Sequence, residues 1–297
     1  MKRILLSLLT VAAVSAIGIT ATRAFFSDVE TSEDNVFTAG AIDLKIDNTS
    51  YALDHNIPGF TDPQGVLVSS TNTSWQLYDL TIQKFFNFED LKPGDYGEDT
   101  ISIHVNNNDA WLCAAARVTD NSDQDCTESE LDDDSTCVTE TSGTNGDLAQ
   151  QVNFAFWKDD GDNVFESDES TFLNGPISGL GTAGQIKLSD STGGPLGPGA
   201  VVGDTDVFIG KAWCFGTLTE ASVTPGGYPQ GPLTTVDSTT IGTGFTCDGS
   251  GVDNAAQTDQ VVGDMQFYAE QSRNNGTFTC ADDYIPTWPT PTPTLTP

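Results

Sequence analysis

The chain has 297 residues, 43 acidic side chains against 11 basic ones, and a formal net charge of -32. A balance this acidic repels phosphate backbones and anionic lipid surfaces, which excludes nucleic-acid binding and electrostatic attachment to a membrane. Hydrophobic residues make up 37% of the chain and aromatic residues 9%, enough for a packed core rather than a disordered acidic tail.

At the amino terminus, Met1-Lys2-Arg3 is a short basic segment followed by an uncharged apolar run from Ile4 to Ala21. This is the layout of a secretory signal peptide, and Thr22-Arg23-Ala24 offers a cleavage site before Phe25. The run is also close to the length that spans a bilayer, about 18 residues, so an uncleaved anchor is the alternative and the one route to a membrane. Cleavage removes Lys2, Arg3 and Arg23 and no acid, leaving a mature chain still more acidic. The expected organisation is a signal peptide over 1–24, one β-sandwich domain over 25–285, and a Thr/Pro-rich tail over 286–297.

Alternating apolar and polar residues predict strands at Ala41–Asp47, Thr100–Asn106, Gln151–Trp157, Asp206–Trp213 and Val261–Tyr268. No stretch of the mature chain carries a helical period beyond a turn or two. The 29 glycines, many beside another Gly, a Pro or an Asn, punctuate the strands with turns. The fold class that follows is all-β: an antiparallel, jelly-roll-like β-sandwich, with an immunoglobulin-like arrangement as the other form. Three polar stretches, 119–147, 174–204 and 221–258, read as long loop insertions. The acidic run Asp120 to Asp134 is a weaker calcium candidate and reads first as solvated surface. In the tail, a Thr-Pro repeat reads as a stiff extended spacer, a place for contact with a cell wall or glycan.

Six cysteines, Cys113, Cys126, Cys137, Cys214, Cys247 and Cys280, suit up to three disulfides in an exported protein. None forms a Cys-x-x-Cys pair. Cys126 and Cys137 flank one acidic loop and are the preferred local pair; the remaining pairing is open. Three glycosylation sequons begin at Asn48, Asn72 and Asn275.

Catalytic signals are weak. The two histidines are His55 in a loop and His104 on the outward face of a strand, and there is no His-Glu-x-x-His, Gly-x-Ser-x-Gly or phosphate-loop motif. The one chemical constellation is Trp157 to Glu169, where Asp159, Asp160, Asp162, Asn163 and Glu166 cluster around Gly161. Hard oxygen donors this close suit calcium, the one cofactor expected. The spacing is not that of an EF-hand, because the glycine precedes the third acid. A solvated acidic hairpin is the other reading of the same residues.

Several segments resemble the TasA/camelysin family of exported proteins processed by a SipW-type signal peptidase. They are Ala24-Phe25-Phe26-Ser27-Asp28-Val29-Glu30-Thr31-Ser32, Asn35-Val36-Phe37-Thr38-Ala39-Gly40, Leu91-Lys92-Pro93-Gly94-Asp95 and Phe267-Tyr268-Ala269-Glu270-Gln271-Ser272-Arg273-Asn274-Asn275. The resemblance implies a jelly-roll sandwich at a cell surface or in an extracellular matrix, and in some members self-association into fibres by donor-strand exchange. The donor would be Phe25 to Gly40, with Phe25, Phe26, Val29, Val36 and Phe37 as anchors; an ordinary first strand of its own domain is the alternative. Such a strand satisfies open main-chain groups at a sheet edge while alternate side chains fill pockets. The family also carries a metallopeptidase label, but no zinc-hydrolase motif is present to carry it over. The expected function is therefore structural rather than enzymatic. A calcium-dependent adhesin and a camelysin-type surface metalloendopeptidase are the alternatives.

Overall fold

The computed structural model of the chain describes residues 27–31, 42–60, 65–180, 184–225 and 244–288. The signal segment, the cleavage pair Ala24 and Phe25, the anchors Phe26, Val36 and Phe37, and the tail after Trp288 lie outside the described residues. Val29 lies within them as backbone alone.

In chain order the strands are β1 (Ser27–Thr31), β2 (Asp43–Leu53), β3 (Leu67–Ser69), β4 (Trp75–Tyr78), β5 (Tyr96–Asn106), β6 (Ala110–Asp123), β7 (Val152–Asp159), β8 (Thr171–Pro176), β9 (Gln185–Ser189), β10 (Thr205–Phe215), β11 (Thr217–Glu220), β12 (Phe245–Asp248) and β13 (Asp259–Gln271). Short helices α1 (Glu128–Asp133), α2 (Leu148–Gln151), α3 (Ile177–Leu180) and α4 (Cys280–Asp283) sit in the connections. One sheet runs β1-β13-β6-β9. The other runs β3-β2-β5-β10-β7-β8, with β4 also on β2, and β11-β12 form a separate ribbon. All pairings between named strands are antiparallel. The expected all-β antiparallel sandwich is the architecture found. Among the described residues, no helix is long and apolar enough to cross a membrane.

The predicted strands at Thr100–Asn106, Asp206–Trp213 and Val261–Tyr268 fall inside β5, β10 and β13, while those at Ala41–Asp47 and Gln151–Trp157 start one or two residues before β2 and β7. Strand β2 shows the plainest relation of pattern to burial: Ile42, Leu44 and Ile46 are fully buried and the residues between them are half-buried. These side chains meet Ile101 and Ile103 of β5, Phe154 and Phe156 of β7, and Met265 and Phe267 of β13 in one central core.

Strand β6 has no such alternation because both of its faces are covered. Leu112, Ala114 and Ala116 point into the central core. Trp111, Cys113 and Ala115 pack outward beneath Phe278, Cys280 and Tyr284. A strand buried on both faces reads as a continuous apolar run, which is how Ala110 to Ala116 reads.

The three polar stretches are shorter as loops than their composition suggests. Strand β6 reaches Asp123, β9 lies within 174–204, and β12 lies within 221–258. The solvated reading of Asp120 to Asp134 holds for Asp125, Glu128, Asp132 and Asp133, which are exposed, and fails for Asp120, Asp123, Glu130 and Asp134, which are buried. Helix α1 explains part of this: Thr127 and Glu130 form a capping box that turns Glu130 inward.

Disulfides join Cys126 to Cys137, as expected, and also Cys113 to Cys280 and Cys214 to Cys247. Three such bonds are characteristic of an oxidising, extracellular environment. Asn48 is not an accessible sequon: it is buried and donates to Thr73 O and Asp99 Oδ2 at 2.7 and 2.8 Å. Asn72 is exposed and Asn275 half-buried.

Asp99 pairs with Lys211 on the neighbouring strand β10, directly opposite in register. Both side chains are fully enclosed, with Nζ 3.1 Å from Oδ1. The lysine also donates to Phe85 O at 2.8 Å and stands 3.7 Å from the centre of the Phe86 ring. Burial pushes the carboxyl up and the amine down, each opposed by the other's charge.

His104 on β5 is flanked by acids from both neighbouring strands. Its Nε2 lies 2.9 Å from Asp47 on β2, and its Nδ1 lies 2.6 Å from Asp206 on β10. Lys45, opposite it on β2, is engaged with Asp43. The hydrogen bond to Asp47 and the charges of Asp206 and Asp47 raise the imidazole above its ordinary value, against the opposing effect of burial. The folded state thus holds the proton more tightly than the unfolded chain. The stabilisation is complete below about pH 6.5 and is lost as pH rises through the higher folded value. His104→Gln should therefore cost more stability near about pH 5.5 than near about pH 8.5. Denaturant midpoints at the two pH values check this; equal losses would contradict it.

Candidate metal centre in the loop after β7

Strand β7 ends at Asp159, and its outward face is anchored by Trp157. This ring is fully buried, with ring centres 5.7 Å from Phe165 and 5.2 Å from Phe245. Gly210 lies opposite it on β10, and a Cβ there would come within 2.1 Å of the indole. A bare backbone at Gly210 is what lets the ring lie flat on the sheet and hold the loop that follows.

That loop turns tightly back on Asp159. Gly161 has φ +106° and Asn163 has φ +64°, both in the left-handed region. A Cβ on Gly161 would also stand 3.2 Å from the Phe208 ring. The turn aims amides at carboxylates: Gly161 N and Asn163 N each donate to Asp159 Oδ2 at 3.2 Å, and Val164 N donates to Asp162 Oδ1 at 3.0 Å. Beyond it, Glu166 N donates to Glu169 Oε2 at 2.9 Å. Backbone bonds between Phe165 and Val223 and between Ser167 and Val223 close the loop from outside.

The structure brings Asp159, Asp160 and Asp162 together, with one carboxylate oxygen of each within 4.8 Å of the others. Asp159 and Asp162 are buried and Asp160 is exposed. Asn163, in the same turn, is fully buried, and neither its Oδ1 nor its Nδ2 finds a partner among the described residues. The second oxygen of Asp159 is likewise without a hydrogen bond there. Glu166 is buried next to the cluster, and its charge acts on Asp162. The loop is thus an enclosed turn, and the solvated-hairpin reading is overturned.

Electrostatics carry the mark of this crowding. Burial, then the charges of Asp162 and Asp160, push Asp159 up to about 7 against the hydrogen bonds from Asn163 and Gly161. Burial, then Asp160 and Glu166, push Asp162 up to about 6. Glu169, which the sequence reading leaves out of the ligand set, is pushed up to about 8 by burial and then by Asp159, Asp160 and Glu166. The sequence signal for it is its place in the same acidic run, one loop turn further on.

Chemically, the donor set is carboxylate and amide oxygen, without imidazole or thiolate. Such a set suits a hard divalent cation that accepts irregular geometry, and it does not suit zinc. The two histidines are elsewhere: His55 bonds Asp95 at 3.0 Å, and His104 sits between Asp47 and Asp206.

No protein-family model, no curated protein and no solved structure matches this chain.

The dependence of the loop on its aromatic platform is testable. Gly210→Ala should lower unfolding free energy by about 1–3 kcal/mol, since Trp157 must leave its seat or the strands must part. Denaturant unfolding measures the loss, and a variant as stable as the parent would show that the indole has room to move.

Proposed function

We propose that the protein is an exported structural protein of a cell surface or extracellular matrix, of the TasA/camelysin type, in which the first strand passes between copies. The observation that carries this reading is the seat of β1. Among the described residues it is the outermost strand of its sheet and pairs only through β13, in a register running from Ser27 opposite Glu270 to Thr31 opposite Gln266. The β1 strand of another copy would make the same main-chain bonds along β13, so exchange requires no new interface chemistry. Head-to-tail repetition of that exchange builds a filament. The three disulfides suit an oxidising location outside the cell.

Negative-stain imaging of the chain beginning at Phe25 tests this reading. Filaments are expected from it and none from a chain lacking Phe25 to Gly40. A synthetic peptide of that segment should bind the shortened chain, which separates loss of the strand from loss of the fold. Filaments that persist without the segment would refute donor-strand exchange.

A calcium-dependent binding module is the second reading, favoured by an Asp159 oxygen and the Asn163 amide in the turn after β7, which have no partner among the described residues. Calcium at 100 times its dissociation constant should stabilise the chelated protein by about 2.7 kcal/mol through mass action. Asp159→Asn combined with Asp162→Asn should reduce that gain in thermal melts. An undiminished gain would remove the ion from this loop.

A further inference from the structure

A second group of carboxylates gathers at the far end of β6, where three parts of the chain meet. Asp123 is the last residue of β6 and Asp259 the first residue of β13; they stand opposite one another in register. Glu130 enters from α1, inside the loop closed by the Cys126–Cys137 disulfide. One carboxylate oxygen from each of the three lies within 4.8 Å of the other two. Like charges directly opposite on paired strands are destabilising, and here a third is added.

The hydrogen bonding is one-sided in the same way on all three. Asp123 Oδ2 accepts from Val138 N at 2.8 Å. Glu130 Oε2 accepts from Thr127 N at 3.2 Å and from Thr258 Oγ1 at 3.0 Å. Asp259 Oδ2 accepts from the backbone N–H groups of Asp147 and Leu148. The other oxygens, Asp123 Oδ1, Glu130 Oε1 and Asp259 Oδ1, are buried and have no hydrogen-bond partner among the described residues. Asp123 and Glu130 are fully buried as whole residues. No lysine, arginine or histidine among the described residues forms an ion pair with any of the three.

Leaving buried carboxylate oxygens bare is costly, and three clustered carboxylates that each carry a bare oxygen call for a common partner. The donors that hold the other oxygens fix each group as the outer contacts of a metal ligand do. Oxygens around a single calcium ion stand at most roughly 5 Å apart, twice a bond length of about 2.4 Å. Cys126 and Cys137 also approach Asp123, but their sulfurs are joined to each other and offer no thiolate. The donors left are all oxygen. Asp259 is half-buried, the least enclosed of the three.

We infer that Asp123, Glu130 and Asp259 form a binding site for a calcium ion that ties the disulfide-closed α1 loop to the paired ends of β6 and β13. The ion would cancel the repulsion between the strand ends. It would also lock α1 in place, where Ser129 already bonds Gln257 and Asp133 accepts two bonds from Asn254. This site is separate from the turn after β7 and does not depend on it.

The test compares the mature chain with an Asp123→Asn/Glu130→Gln variant, each first chelated and then titrated with calcium. Ions are counted by native mass spectrometry, and affinity is measured by calorimetry. Both comparisons are repeated in an Asp159→Asn/Asp162→Asn background, so only this site is read. The expected result is one ion in that background and its loss, or an affinity lower by about tenfold or more, when Asp123 and Glu130 are neutralised. In chelator the neutralised variant should melt no lower than its parent, because repulsion has been removed. Unchanged affinity, or no ion bound at millimolar calcium in the background protein, would overturn the site. So would a chelated variant melting well below its parent, since the carboxylates would then serve as hydrogen-bond acceptors alone. Equal affinity for magnesium would overturn the choice of calcium.

Discussion

Carboxylates removed from water set the terms on which this chain folds. Burying one ion costs several kcal/mol unless a partner accompanies it. Asp99 has such a partner in Lys211, enclosed with it on adjacent strands. With only 11 basic residues for 43 acids, that solution cannot be repeated across the molecule. Two carboxylates about 5 Å apart repel by about 3 kcal/mol at an effective dielectric near 20. The groups around Asp159 and around Asp123 each hold three acids at such separations. Their geometry is set partly by strands: Asp159 ends β7, and Asp123 and Asp259 face each other across β6 and β13, while the turn after β7 and helix α1 supply the other acids. The rigidity that makes a good sandwich thus holds like charges close together.

The legibility of the sequence divides along the same physical lines. Strands with one wet face, such as β2, keep the two-residue period and are visible from their residues. Strand β6 is not, because the segment from Phe278 to Tyr284 covers its outer face and erases the alternation. The acidic turn after β7 is visible because its acids are neighbours in the chain around Gly161. The group at the end of β6 is visible only in part: the acidic run Asp120 to Asp134 holds Asp123 and Glu130, but nothing in it points to Asp259. Asp259 reaches Asp123 through strand register across most of the domain, and local composition carries no trace of that pairing. Acid-rich sequence also invites the assumption of exposure, which holds for Asp125 and Asp133 but fails for Asp123 and Glu130 between them.

Local covalent closure and buried polar chemistry occur together in this fold. The Cys126–Cys137 bond closes a short loop of 11 residues' separation, and Glu130 lies inside it. The Cys214–Cys247 bond ties the end of β10 to β12, whose Phe245 packs on the Trp157 ring beneath the turn after β7. In each case the crosslink limits the motion of a segment that helps hold acids in place. Closure of short loops contributes modestly through the unfolded state; its further effect here is to keep charged groups from relaxing apart.

The third crosslink has a mechanical meaning. Cys280 lies in α4, near the carboxyl end of the described residues, and is bonded to Cys113 in β6, which is flanked by β13 on one side and β9 on the other. Tension applied from the tail passes at Cys280 into the middle of a sheet, so β13 cannot be peeled away by that pull. Strand β1 precedes Cys113 and stands outside the covalent ring. The domain is therefore asymmetric under load: it resists from its tail, whereas at its head the edge strand β1 is held by main-chain pairing to β13 without a crosslink.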